Sequence, residues 1–215
     1  MKKLHALIIG ATGATGRELV KLLLKDDDFS HVTIFVRNAP TINHEKLTIH
    51  VIDFKEIEKN KDLIKGDILF SALGTTKKDA GGKTHQYEID YTYQYKFAKI
   101  AAENGVGQLS LVSSVGANSK SSFFYPKIKG ALEEEVKKLN FKQIDIFQPP
   151  MLIRQPDLIR AGEKSGINIL NKLNKIGIIK SQKPLAVETL AEKMLKMAKT
   201  PSNEKVTSYL PKDLL

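Results

Sequence analysis

Cysteine is absent from all 215 residues. Disulfides, thiolate metal sites and a thiol nucleophile are therefore excluded together. Such a composition suits a reducing compartment, and a cytoplasmic protein is the expectation. Long apolar runs are missing too, since none approaches the roughly 20 residues that span a bilayer. The opening stretch Met1-Lys2-Lys3-Leu4-His5-Ala6-Leu7-Ile8-Ile9 has the look of a short leader. Its apolar part is brief, and Gly10 begins a glycine pattern instead of a cleavage site, so it reads as a buried first strand. The five histidines, His5, His31, His44, His50 and His85, lack metal-ligand spacing, and no metal is expected. Blocks of one charge are scarce, although 34 basic against 24 acidic residues give a net charge of +10. The lysines are spread through amphipathic segments without aromatic interleaving. Nucleic acid is not an expected partner and no membrane span is expected, while an anionic ligand would gain from the field.

What is present is an alternation. Leu4 to Ile9 is continuously apolar, as in a strand buried on both faces. Ala14 to Lys25 has helical periodicity, with Leu19, Val20, Leu22 and Leu23 as its stripe. Further strands are predicted at Val32–Val36, Leu47–Ile52, Asp67–Ala72, Gln108–Ser113 and Gln143–Phe147. Phe54 to Lys61 reads as a short polar helix or turn. Helices are predicted at Thr84–Asn104, capped by Gly105, and at Phe123–Leu139. Strands alternating with helices imply right-handed βαβ units, so the fold class is α/β, a doubly wound parallel sheet of the Rossmann type. The expected organisation is one domain over 1–215. Its core covers about 1–150, and a small C-terminal lobe over about 151–215 lies above the strand ends. In that lobe Asp157–Asn174 reads as loop plus helix and Val187–Ala198 as a clear helix.

Between the first strand and first helix stands Gly10-Ala11-Thr12-Gly13-Ala14-Thr15-Gly16. Gly10 permits the tight turn, Gly13 lets backbone amides approach a pyrophosphate, and Gly16 allows helix and strand to pack closely. The helix N-terminus supplies free amides and a positive dipole end, and Thr12 and Thr15 can add hydroxyls. A dinucleotide is the implied ligand. Here another absence matters. Enzymes for the unphosphorylated cofactor carry an acid after the second strand, about 20 residues beyond the glycines. This chain has Phe35-Val36-Arg37-Asn38. A guanidinium suits a 2′-phosphate, so NADP(H) is favoured, with NAD(H) as the alternative. Asp53, closing the third strand, suits either the adenine amino group or a helix N-cap.

Tyr125 and Lys129 stand four apart on a predicted helix and so share a face. Ser113-Ser114 end the fifth strand, at the edge where ligands dock. Free tyrosine has a pKa of about 10, and a neighbouring ammonium lowers it. A tyrosine so placed protonates a carbonyl while hydride arrives from a nicotinamide. The lysine also holds the nicotinamide ribose. A serine, with Ser114 favoured over Ser113, polarises the carbonyl.

These residues resemble the atypical short-chain dehydrogenases, and within them the HIV-Tat-interactive-protein family and its bacterial relatives. The more specific signals are Leu73-Gly74-Thr75-Thr76 with Ala80-Gly81-Gly82, and Asp90-Tyr91. Leu111-Val112-Ser113-Ser114-Val115-Gly116-Ala117, Tyr125-x-x-x-Lys129-Gly130 and Phe147-Gln148-Pro149-Pro150-Met151-Leu152 continue the likeness. The resemblance implies a doubly wound fold, NADPH binding and an oxidoreductase-like site. It implies Tyr125 and Lys129 as the catalytic pair. It implies Thr12, Gly13, Ala14, Thr15, Arg37, Leu73, Gly74, Leu152 and Arg160 as cofactor contacts. The chain departs from the family's pattern at Asn38, often basic there, and at Gln148-Pro149-Pro150, commonly Arg-Pro-Gly. The leading expectation is an NADPH-dependent reductase of a small carbonyl compound. The alternatives are an NADPH sensor that signals through a protein partner, and a nucleotide-sugar epimerase for which the C-terminal lobe looks short. The Tyr87, Tyr91, Tyr95 stripe is expected to serve helix packing or a subunit interface, such as a homodimer.

Overall fold

The computed structural model describes residues 3–158 and 183–215. The chain opens with β1 (Leu4–Ile9), α1 (Ala14–Lys25), β2 (Phe29–Val36) and β3 (Leu47–Val51). A 3-10 segment, Phe54–Leu63, leads into β4 (Ile68–Ser71). Next comes helix in three pieces: α2 (Lys83–Tyr87), a π-helical turn (Glu88–Thr92) and α3 (Tyr93–Glu103). The alternation continues through β5 (Gln108–Val112), α4 (Phe124–Lys137) and β6 (Gln143–Phe147). Two-residue strands β7 (Leu152–Ile153) and β8 (Leu185–Ala186) pair with each other. The last elements are α5 (Val187–Ala198), β9 (Val206–Tyr209) and α6 (Pro211–Leu214).

Seven strands form one parallel sheet in the order β3-β2-β1-β4-β5-β6-β9. All six predicted strands are in it. Strand order reverses between β1 and β4, which places a ligand crevice outside the carboxyl ends of those two strands. Centrality explains the composition of β1: Ala6, Leu7, Ile8 and Ile9 are each fully buried, because helices cover both faces. One face packs under α1 and α5 through Ile8, Ile34, Phe70, Leu19, Leu190 and Met194. The other packs under α3 and α4 through Leu7, Leu69, Leu111, Phe97, Leu132 and Ile146. Lys199, just past α5, donates to Asp26 at 2.7 Å and Asp28 at 2.9 Å and ties that helix to the end of α1.

The long helix read over 84–104 ends as expected, with Gly105 at φ +83°. Its middle departs from α geometry in the π turn, a widening that often marks functional sites. The tyrosine stripe stacks along this helix, with ring centroids 4.9 Å apart for Tyr87 and Tyr91 and 6.1 Å for Tyr91 and Tyr95. Tyr91 and Tyr95 pack on the core. Strand β9 was not predicted. It is four residues long, partly exposed, and follows a polar stretch, so it carries little hydrophobic signal.

Beneath α5 the sheet holds a buried carboxylate, Asp145. It accepts from Gln108 Nε2 and Gln143 Nε2, both at 2.9 Å, and from the Tyr209 hydroxyl at 3.3 Å. Burial pushes the carboxyl above its ordinary range, against the pull of those three donors. Burial and the facing carboxylate push Tyr209 up to about 12. A carboxyl raised on folding contributes stability below its unfolded value and loses it as pH rises through the folded one. Asp145→Asn is thus expected to raise the urea midpoint at pH 7, with the gain shrinking toward pH 4. Asp145→Ala removes the shared acceptor and costs about 1–3 kcal/mol. Urea melts across that range decide, and an Asn variant less stable at pH 7 than at pH 4, relative to wild type, refutes the charge argument.

Candidate functional site

The glycine loop is built for close approach. Gly10 sits at φ +79°, and a Cβ there would lie 2.5 Å from the Ala72 carbonyl and the Leu73 nitrogen. A Cβ on Gly16 would lie 2.1 Å from the Gly10 oxygen. Gly13 is the N-cap of α1 and makes no side-chain cap, so among the described residues no N-cap side chain occupies the first-turn amides of the helix. A Cβ on Gly13 would come within 3.3 Å of the Gly10 oxygen, leaving its outer side to a ligand. These features fit a pyrophosphate at the helix end.

From the loop, Gly13, Ala14 and Thr15 line a cavity of about 140 Å³ with Leu73 and Gly74 after β4 and with Tyr125 and Lys129 on α4. Ser113 and Leu152 also border it. Arg37 and Asp53 are not on this cavity. They line a cleft of about 500 Å³ with Phe54, Tyr93, Leu73 and Gly74, the last two being shared with the smaller cavity. Asp53 also caps the 3-10 segment, accepting the Lys55 amide at 2.8 Å. Thr15 is buried and Thr12 exposed on the outer side of the loop. A third recess, about 310 Å³, is walled by Ser114, Val115, Tyr125, Pro149, Met151 and Arg154. Arg160 lies outside the described residues.

Lys129 is 2% exposed and donates to the Val112 carbonyl at 2.9 Å. Burial pushes its ammonium below the ordinary lysine range, while Asp90 and Glu133 pull it back up. Asp90 is fully buried in the π turn, and its carboxylate accepts the Thr75 amide at 3.3 Å on both oxygens. Ser113 is buried and donates its hydroxyl to Glu133. Gln148 donates to both Glu133 oxygens at 3.0 Å, so the departure at this position is a neutral partner for a buried acid. Among the described residues the Ser114 hydroxyl makes only a 3.5 Å contact with the Val115 carbonyl. Gly130 lets the loop after β5 cross α4, since a Cβ there would sit 2.2 Å from the Ser119 nitrogen. Sequence reasoning missed Glu133 and Arg154, marked Gln148 only as a departure from the family's pattern, and did not give Asp90 a role. The acids stand at helix positions that look solvated until the fold supplies their distant donors.

A family model for NAD(P)H-binding proteins matches residues 10–142. The chain belongs to this NAD(P)H-binding family. Within the family it is 34% identical to the protein HTATIP2 of Rattus norvegicus, over 76% of this chain and 69% of that one. It is 33% identical to the mitochondrial protein FMP52-1 of Scheffersomyces stipitis, over 82% and 76%. These relatives make it one of the HIV-Tat-interactive-protein-like members. Among solved structures, the Bordetella bronchiseptica enzyme WbmH in complex with NAD+ superposes with TM-score 0.74 at 14% identity, over 97% of this chain and 75% of that one. A UDP-N-acetylglucosamine 4-epimerase of Methanobrevibacter ruminantium gives TM-score 0.70 at 17% identity, over 98% and 77%. At such identities the likeness is one of fold. The family membership corrects one expectation. Several relatives, including those of S. stipitis and Candida albicans, are named mitochondrial, so the cytoplasmic assignment does not stand. Lack of cysteine removes disulfide chemistry without selecting a compartment. Among the described residues no helix is long and apolar enough to cross a membrane.

Proposed function

We propose that this chain, acting as one domain over 1–215, is an NADPH-dependent reductase of small carbonyl compounds. The observation that carries this reading is the single cavity shared by the glycine loop, Tyr125 and Lys129. The loop amides hold the pyrophosphate, and the cleft of Asp53, Phe54, Leu73 and Gly74 takes the adenosine. Arg37, exposed at the mouth of that cleft, pairs with the 2′-phosphate. Lys129 holds the nicotinamide ribose through the ammonium protons not given to Val112. Bound NADPH supplies hydride. Tyr125 delivers the proton to the carbonyl oxygen, and Ser114 orients that oxygen from the recess next door. A recess of about 310 Å³ suits a small substrate.

Arg37→Ala is expected to weaken NADPH about 10- to 100-fold, the size of a lost charge-assisted hydrogen bond, and to leave NADH unchanged. Fluorescence titration of both cofactors measures this, and unchanged NADPH affinity sinks the assignment of Arg37. Turnover with a panel of aldehydes, ketones and quinones tests the reductase. Tight NADPH binding with no turnover on any of them favours a cofactor sensor.

A further inference from the structure

Glu133 takes no part in the steps above, yet it is 5% exposed beside the centre of the site. It stands one helical turn beyond Lys129, so the two side chains share a face of α4. Its carboxylate accepts the Ser113 hydroxyl and the Gln148 amide. Both donors are neutral. They fix the orientation of the carboxylate without cancelling its charge. A buried anion held only by neutral donors is costly unless a cation shares its surroundings. Lys129, itself bonded to the neutral Val112 carbonyl, is that cation.

We propose that Glu133 is a positioning residue: held by Ser113 and Gln148, it keeps a fixed negative charge beside Lys129 and so preserves the ammonium that grips the cofactor. The consequence for binding rests on the cofactor reading above, and the charge coupling rests on the shared face of α4 and the burial of both side chains. Lys129 is faced by Glu133 from its own helix, by Asp90 from the π turn, by Tyr125 one turn earlier and by the Val112 carbonyl from β5, and it shares its cavity with the cationic Arg154 that follows β7. Burial drives the ammonium to release its proton, and only the two carboxylates oppose this. Removing one leaves Asp90 alone. Gln148→Arg does the same without touching Glu133, because a guanidinium would cancel its charge.

The test is the pH profile of NADPH affinity, read beside melting curves of the cofactor-free full chain. Between pH 7 and pH 9 the Kd of Glu133→Gln is expected to rise about 10-fold more than that of wild type, the effect of about one unit at Lys129. Gln148→Arg follows the same course. Lys129→Met binds weakly at every pH, with no added slope. A lysine depressed on folding gains stability as pH climbs from its folded value toward its unfolded one. Without cofactor, the melting temperature of Glu133→Gln therefore rises relative to wild type from pH 7 to 10, and a Lys129→Met background erases the difference. A merely structural loss would lower affinity and melting temperature evenly across pH. Profiles of Glu133→Gln parallel to wild type in both measurements overturn the proposal. If Lys129→Met binds NADPH like wild type, the cofactor reading fails instead, and the melting comparison alone decides for or against Glu133.

Discussion

Gly16→Ala is expected to abolish measurable NADPH binding and to lower the unfolding free energy by about 1–3 kcal/mol. The new methyl would sit 2.1 Å from the Gly10 oxygen, 2.7 Å from the Gly10 carbonyl carbon and 2.9 Å from the Ala11 Cα. All three are backbone atoms of the turn, so no side chain can swing aside. Relief requires α1 to lift from β1, which moves the helix end away from the crevice. Gly13 provides the contrast. Its backbone, at φ −78° and ψ 174°, suits any residue, and a Cβ would meet the Gly10 oxygen at 3.3 Å. Gly13→Ala is therefore expected to cost under about 1 kcal/mol. It still weakens NADPH by at least about 10-fold, because the methyl takes space next to the amides that meet phosphate. Urea denaturation and fluorescence titration of both variants test the pair. A Gly16→Ala protein that melts and binds like wild type contradicts the loop geometry. A Gly13→Ala protein with full affinity places the phosphate elsewhere.

Tyr125→Phe is expected to lower kcat by about 10²- to 10⁴-fold, the usual share of a positioned proton donor. Tyr125 is 39% exposed in the first turn of α4, between the small cavity and the larger recess. Phenylalanine fills the same volume, so only the hydroxyl is lost. NADPH affinity should then stay within about two-fold, since the tyrosine meets the substrate more than the dinucleotide. Ser114→Ala should cost less than Tyr125→Phe, because serine polarises the carbonyl without transferring the proton. Steady-state kinetics on a substrate from the carbonyl panel separate these cases. A Tyr125→Phe enzyme with unchanged kcat and raised KM would make the tyrosine a binding group and remove the proposed chemistry.

Much of the fold was legible in local patterns. The six predicted strands stood out as short segments rich in aliphatic and aromatic residues, because a parallel sheet covered on both faces demands it. The glycine loop and the shared helix face of Tyr125 and Lys129 were legible because their spacings encode contacts within one turn. What escaped notice depended on long-range partners. Glu133 reads as a polar helix position, and only Ser113, 20 residues away in sequence, and Gln148, 15 away, make it a buried anion. Asp90 was visible as a motif residue. Its burial follows from the π turn, which breaks the 3.6-residue periodicity on which helix reading relies. Arg154 follows a two-residue strand whose pairing with β8 spans the chain from 152 to 185, beyond any local signal.

The sheet's outer strand has a consequence for biogenesis. Ile144 pairs with Val206, so β6 stays an open edge on the ribosome until some sixty further residues have been made. During synthesis the glycine loop can already be formed by β1, β2 and β4, while the hydrogen-bonding groups of β6 have no strand beside them. An open edge next to buried aliphatic residues is a template for wrong pairing. Nascent chains stalled before β9 should accordingly bind dinucleotide yet need a chaperone to stay soluble.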